Sequence, residues 1–140
     1  MKQLYTTRAI ANGGRNGKVR TEDGVFATDL AMPRELGGTG KAPNPEQLFA
    51  AGYAACFENA VLHIARLQKL PVRDTEVAAD VALNAGENGA FVLSVALHVS
   101  LAGLDQAAAE ALVAQAHQVC PYSNATRGNI EVTLTTLAKA

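Results

Sequence analysis

The residues with most chemistry to offer in this chain are its two cysteines, Cys56 and Cys120. A thiolate is a nucleophile and a metal ligand, and paired thiols can exchange with a disulfide. The opening MKQLYTTRAIANGG lacks the apolar run of a secretory signal, so we expect a cytoplasmic protein. In that reducing setting two cysteines are more often catalytic, redox-active or metal-binding than a structural staple. Metal is disfavoured by spacing. Cys56 and Cys120 lie far apart and His63, His98 and His117 are scattered, so no zinc pattern forms. Ser123 is not in the G-x-S-x-G turn of a hydrolase nucleophile. Gly37-Gly38-Thr39-Gly40 has the glycines of a phosphate loop without its Lys-Ser/Thr ending, and no dinucleotide fingerprint occurs. His117, three residues before Cys120, could share its helix face and assist proton transfer, or be a satisfied histidine at a helix end.

Cys56 has to be positioned by what surrounds it. The stretch NPEQLFAAGYAACFENAVLHIARLQKL, from Asn44 to Leu70, reads as one long helix. Asn44 suits the cap, Pro45 the first helical position, and Gln47 the reciprocal place in a capping box. Between Leu48 and Leu62 only Gly52, Glu58 and Asn59 leave the apolar set, and a helix apolar nearly all round is a buried one. Buried cysteines are usually small hydrophobes. Here Ala51, Gly52, Ala54, Ala55 and Ala60 would also let other backbone approach the sulfur.

The remaining elements follow from punctuation and periodicity. Residues 3–10 have strand composition, and residues 18–20 and 25–30 flank a turn at Asp23-Gly24. Residues 32–45 are a Gly- and Pro-rich loop, and Pro71 stops the long helix. Residues 77–85 and 90–101 form a hairpin across Gly86-Glu87-Asn88-Gly89. Asp105 caps a helix over 106–118 with an apolar stripe of Ala109, Leu112, Val113 and Ala116. Pro121 puts Cys120 at a helix boundary, and residues 130–137 are a closing strand. The order predicts an α+β fold, one domain over 1–140, with mostly antiparallel sheet wrapped around a long buried central helix.

Composition bounds the partners. The chain has 140 residues, 49% hydrophobic and 18% charged, enough for a globular core. A net charge of −1 gives no basic patch for nucleic acid or an anionic membrane. Glu58, Arg66 and Lys69 interrupt the long helix against a membrane span. A helix apolar on all sides needs more cover than one chain of this size provides. We therefore expect a homodimer whose interface resembles a divided core.

Two stretches carry a family resemblance. NPEQLFAAGYAACF, residues 44–57, and CPYSNATRGNI, residues 120–130, resemble the organic hydroperoxide resistance proteins, the Ohr branch of the Ohr/OsmC superfamily. Gly13-Gly14-Arg15 and Gly37-Gly38-Thr39-Gly40 are similar to that family too, and the likeness spans essentially the whole chain. It implies an OsmC-like fold and an intertwined homodimer with active sites at the interface. It also implies a thiol peroxidase that reduces organic hydroperoxides to alcohols and is recycled by a lipoylated protein or dihydrolipoamide; with sulfur to carry the electrons, we expect no cofactor and no metal. The peroxidatic cysteine falls on Cys56, the resolving cysteine on Cys120, the activating arginine on Arg15 and its supporting glutamate on Glu46.

The chemistry such a site requires can be stated independently. Attack on an O–O bond needs a thiolate, and mid-helix burial of Cys56 works against one. A guanidinium beside the sulfur favours the thiolate and can hydrogen-bond the peroxide oxygens. Arg15, between flexible glycine turns, can reach in, with Glu46 to hold it; the plainer alternative is a surface arginine and a first-turn glutamate. A sulfenic acid over-oxidises unless a second thiol condenses with it, and Cys120 is the only other cysteine. Apolar surroundings favour greasy hydroperoxides over hydrogen peroxide. Tyr53 and Tyr122 read as pocket wall or core, and Glu58 and Asn59 as a polar break near the interface. Glu46 and Cys56, ten residues apart on one helix, are separated by about 15 Å, so Glu46 should serve the partner's Cys56 unless the helix kinks at Gly52. The competing function is a non-catalytic thiol redox sensor.

Overall fold

In the computed structural model, which describes residues 1–140, the chain begins with a three-stranded antiparallel sheet. Its strands are β1 (Ala9–Asn12), β2 (Lys18–Thr21) and β3 (Ala27–Asp29), paired in that order. The strand expected from residue 3 starts only at Ala9. β2 ends at Thr21, which pairs with Ala9; beyond that the Arg8 carbonyl accepts one further bond from the Glu22 N–H at 2.9 Å, and Leu4 and Tyr5 are exposed. The turn between β1 and β2 is a single 3-10 turn, Gly14–Asn16. A side chain at Gly17 would put its Cβ 1.9 Å from the carbonyl oxygen of Asn12, so only glycine closes this turn. That turn presents Arg15.

α1 (Pro45–Leu67) opens with the expected reciprocal cap. The Gln47 N–H donates to Asn44 Oδ1 at 2.9 Å, and the Asn44 N–H donates to Gln47 Oε1 at 3.0 Å. Its end differs from expectation. Lys69 adopts φ 55°, and the N–H groups of Lys69 and Leu70 reach the carbonyls of Arg66 and Ala65 at 3.1 and 2.9 Å. This left-handed closure satisfies the last carbonyls before Pro71 is reached. Burial also differs. Tyr53, Phe57, Ala60, Val61, Ile64 and Ala65 are buried, whereas Ala51, Ala55, Asn59, Leu62 and Arg66 follow one helical face that the chain leaves exposed. Sequence composition cannot distinguish two buried faces from one buried face and one waiting for cover. By length and apolar content α1 could cross a bilayer despite its charges. The apolar side chains of its other face are part of a core with a sheet and a second helix.

The backbone divides into two compact units, Met1–Leu48 and Phe49–Ala140. In the second, β4 (Arg73–Ala85) and β5 (Phe91–Ala102) form the expected antiparallel hairpin. β6 (Val132–Lys139) then pairs with β5 in parallel, an exception to the antiparallel expectation. Parallel neighbours need a long crossover. Here it consists of α2 (Gln106–Val119) and α3 (Pro121–Thr126). Asp105 caps α2, accepting from the Ala108 N–H at 2.8 Å. The predicted stripe Ala109, Leu112, Val113 and Ala116 is buried against Val95, Leu97, Val99 and Leu101 of β5 and the apolar side of α1. Alternation on β5 puts both helices on one face of this sheet.

Candidate active site

Cys56 sits in the middle of α1 and is partly buried; Cys120 is fully buried. Cys120 is at once the last cap of α2 and the cap that starts α3, with φ −63° and ψ 122°. Pro121 can follow because the first helical position needs no N–H donor. The fold brings the two sulfurs together, with Cys120 Sγ donating to Cys56 Sγ at 3.8 Å. Both are free thiols, and a disulfide bond is about 2.05 Å long.

Burial pushes the Cys56 thiol up, and the neighbouring Cys120, by charge and by hydrogen bond, pushes the same way. The backbone N–H of Tyr122 pulls it down. The balance leaves Cys56 above the ordinary thiol value, so an added positive charge is what this sulfur lacks.

Arg15 and Glu46 are likewise brought together. Arg15 Nη1 donates to Glu46 Oε2 at 2.7 Å and Nη2 to Oε1 at 2.6 Å, a two-pronged ion pair. The Arg15 hydrogen bond holds the Glu46 carboxyl below the usual carboxylate range, and Glu46 in turn raises Arg15. The first turn of α1 favours a carboxylate here. The two pairs belong to the two different compact units.

α1 is continuous over Pro45–Leu67, so it does not break at Gly52. A Cβ at Gly52 would lie 2.7 Å from the Tyr122 hydroxyl and 3.2 Å from its ring. Glycine makes room for that phenol. Tyr122, Phe49, Pro121, Ile130, Phe91 and Val92 line an apolar cavity of ≈ 670 Å³. Glu58, the expected polar break, accepts from the Thr75 hydroxyl of β4 at 2.8 Å.

Sequence reasoning missed a buried polar cluster beside the sulfurs. Ser123 Oγ lies 2.8 Å from His117 Nδ1 and 2.8 Å from the Tyr53 hydroxyl, which is also 3.2 Å from Thr126 Oγ1. The signal was present as His117 and Ser123 flanking Cys120 at three residues on either side. Burial, and next the charge of Arg127, pushes His117 below the ordinary imidazole value. His98 lies on the exposed sheet face between Asp80 and Thr135, at 2.9 and 2.6 Å. No group of three or more His, Cys, Asp or Glu side chains is arranged to hold a metal ion.

The family described as OsmC-like protein matches residues 38–135. An organic hydroperoxide resistance protein of Xanthomonas axonopodis pv. citri is 51% identical over 136 residues, covering 96% of this chain and 95% of that protein. The organic hydroperoxide resistance protein OhrB of Bacillus subtilis is 46% identical over 134 residues, covering 94% of this chain and 96% of its own. In three dimensions, the crystal structure of an organic hydroperoxide resistance protein OsmC from Legionella pneumophila superposes with a TM-score of 0.95 at 60% identity, over 97% of this chain and 99% of that one. At such identity and coverage, with an α+β fold built from two small sheets, this chain belongs to the OsmC-like family, in its organic hydroperoxide resistance branch.

Proposed function

We propose that this protein is a thiol peroxidase that reduces organic hydroperoxides to alcohols and so gives resistance to them. The observation that carries this reading is the pair of free sulfurs 3.8 Å apart, one partly open and one fully buried. The names of its relatives agree with it. The Cys56 thiolate attacks one oxygen of the O–O bond; that bond breaks, the alkoxide leaves, and a proton makes it an alcohol. Cys56 is now a sulfenic acid. The Cys120 sulfur attacks the Cys56 sulfur, the S–O bond breaks, and hydroxide leaves as water with the proton of the Cys120 thiol. A lipoyl dithiol, on a protein or as dihydrolipoamide, exchanges with the disulfide and returns both thiols, becoming a cyclic disulfide itself. Sulfur carries every electron, so no cofactor is needed.

Arg15 supplies the positive charge that Cys56 lacks, and Glu46 aims it. The apolar cavity beside Tyr122 takes the organic tail, where each buried CH₂ contributes about 0.8 kcal/mol. The exposed face of α1 is covered by a second copy, so the working protein is a cytoplasmic homodimer and residues 1–140 act as one domain. Turnover of an alkyl hydroperoxide with dihydrolipoamide tests the function. Many turnovers per thiol pair are expected; a protein that reacts once and stops is a redox sensor, and the peroxidase reading is then wrong.

A further inference from the structure

We propose that the hydrogen-bonded chain His117–Ser123–Tyr53–Thr126, buried from Ser123 onward, is a positioning device that holds Cys120 ready to attack oxidised Cys56. It rests on the peroxidase reading above and adds residues that govern one step of it.

The chain ties three helices around the sulfur pair. Tyr53 lies three residues before Cys56 on α1, His117 three before Cys120 on α2, and Ser123 three after Cys120 on α3. Ser123 is therefore the common partner of a residue one turn from each cysteine. Ser123 and Tyr53 are fully buried and Thr126 nearly so, yet no buried side-chain polar atom lacks a partner. Hydroxyls taken out of water are costly unless all their bonds are made, and satisfied networks rigidify the elements they join. Arg127 adds a second tie across the joint, donating to the His117 carbonyl and to Asn124 Oδ1. Cys120 itself is held from both sides: its N–H bonds the Ala116 carbonyl at 2.9 Å, and its carbonyl accepts from the Asn124 N–H at 3.0 Å. With the α2–α3 joint fixed in this way, the Cys120 sulfur has only its side-chain torsion left to reach Cys56.

The proton count makes the network directional. The Thr126 hydroxyl donates to the Ser123 carbonyl at 3.2 Å, so Tyr53 must donate to Thr126. Ser123 must then donate to Tyr53, and His117 must donate from Nδ1 to Ser123. Only this order keeps all four bonds. It assigns the proton of neutral His117 to Nδ1.

The step at stake is a competition. Cys120 displaces hydroxide from the sulfenic acid to give a disulfide and water; a second hydroperoxide instead oxidises it to sulfinic acid and leaves as alcohol. A misplaced Cys120 slows only the first branch. The test uses the full-length protein with cumene hydroperoxide, and Tyr53→Phe, Ser123→Ala and Ser123→Thr. We expect the rate of first oxidation of Cys56 to stay within about twofold of wild type. The hydroperoxide concentration at which half the protein gains two oxygens by mass should fall about tenfold in Tyr53→Phe and Ser123→Ala, because a small misplacement is costly at a reacting centre. Ser123→Thr, which keeps the hydroxyl, should recover the wild-type value. The ¹⁵N shifts of His117 should report the Nδ1–H form in wild type and lose it in Ser123→Ala. Tyr53→Phe removes one oxygen without opening a cavity and decides the matter should Ser123→Ala fail to fold. A branching concentration unchanged in Tyr53→Phe, or both branches slowed equally, overturns this proposal. Wild-type protein that never turns over hydroperoxide overturns the peroxidase reading instead.

Discussion

Glu46 grips both terminal nitrogens of Arg15, at 2.6 and 2.7 Å, from the first turn of the same unbroken helix that carries Cys56. Ten residues of that helix span about 15 Å and turn the two side chains about 80° apart. In the homodimer proposed above, with two α1 helices packed antiparallel about a two-fold axis, a guanidinium held there would be expected to serve the thiol of the other chain.

Mixing two inactive variants separates the arrangements. If Glu46 serves the partner's thiol, a heterodimer of Cys56→Ser with Glu46→Gln has one intact site. Refolding the two variants together should then restore about a quarter of wild-type turnover, since half the dimers are mixed and each has one site. A site built within one chain predicts no recovery at all.

The ion pair should also leave a mark on stability against pH. The folded carboxyl of Glu46 lies below its unfolded value, chiefly through the Arg15 hydrogen bond, so the unfolded chain binds more protons as acid is added. The stabilisation is fully present above about pH 4.3 and drains away as pH falls through the lowered value. Glu46→Gln should cost about 1 kcal/mol or less at neutral pH, as Arg15 is partly exposed. Denaturant titrations from pH 7 to pH 3 should show that difference closing in acid. A constant difference would mean the pair contributes nothing through charge.

The two cysteines should fail differently. Cys56→Ser should lose all peroxidase activity, and Cys120→Ser should react once to the sulfenic acid and then, with a second hydroperoxide, accumulate sulfinic acid without turning over. Arg15→Ala should slow the first oxidation about a hundredfold. Stopped-flow oxidation followed by mass spectrometry reads all three, and wild-type single-turnover rates in Cys56→Ser would remove this sulfur from the mechanism.

Gly52→Ala tests the fit between α1 and Tyr122. The backbone gains about 1 kcal/mol of helix preference. The new methyl displaces the phenol, whose hydroxyl would be 2.7 Å from it, and with it a wall of the cavity. We expect unchanged or higher thermal stability together with a raised KM for bulky hydroperoxides and little change for tert-butyl hydroperoxide. An equal effect on both substrates would show that the cavity does not receive the tail.

Local rules made much of this molecule legible in advance. The Asn44–Gln47 cap, the Asp105 cap and the buried stripe of α2 depend on residues within one turn of each other, and each is found as read. What sequence could not give was set by non-local pairing. Residues 3–8 have strand composition but lie beyond the end of the β1–β2 ladder, and β6 joins β5 in parallel where alternation alone cannot distinguish direction. At the site, residue types named the four candidates, but the bridge from Ser123 to Tyr53 joins positions 70 residues apart and leaves no periodic trace. Composition marks Gly52 as a small residue that makes room on α1, but that the room is filled by Tyr122, far along the chain, leaves no local trace.

The parallel pairing of β5 and β6 bears on when the thiols first meet. β4 and β5 can zip locally, on the order of microseconds, through their short connection. β6 cannot dock until the chain has travelled through residues 103–131, and long-range pairings of this sort form late. Cys120 rides on that crossover. Until it closes, Cys56 is an ordinary thiol with no partner at hand, open to any oxidant or foreign disulfide. Renaturation should therefore proceed cleanly only under reducing conditions, and the newly made protein comes into its redox chemistry at the moment its last strand finds the sheet.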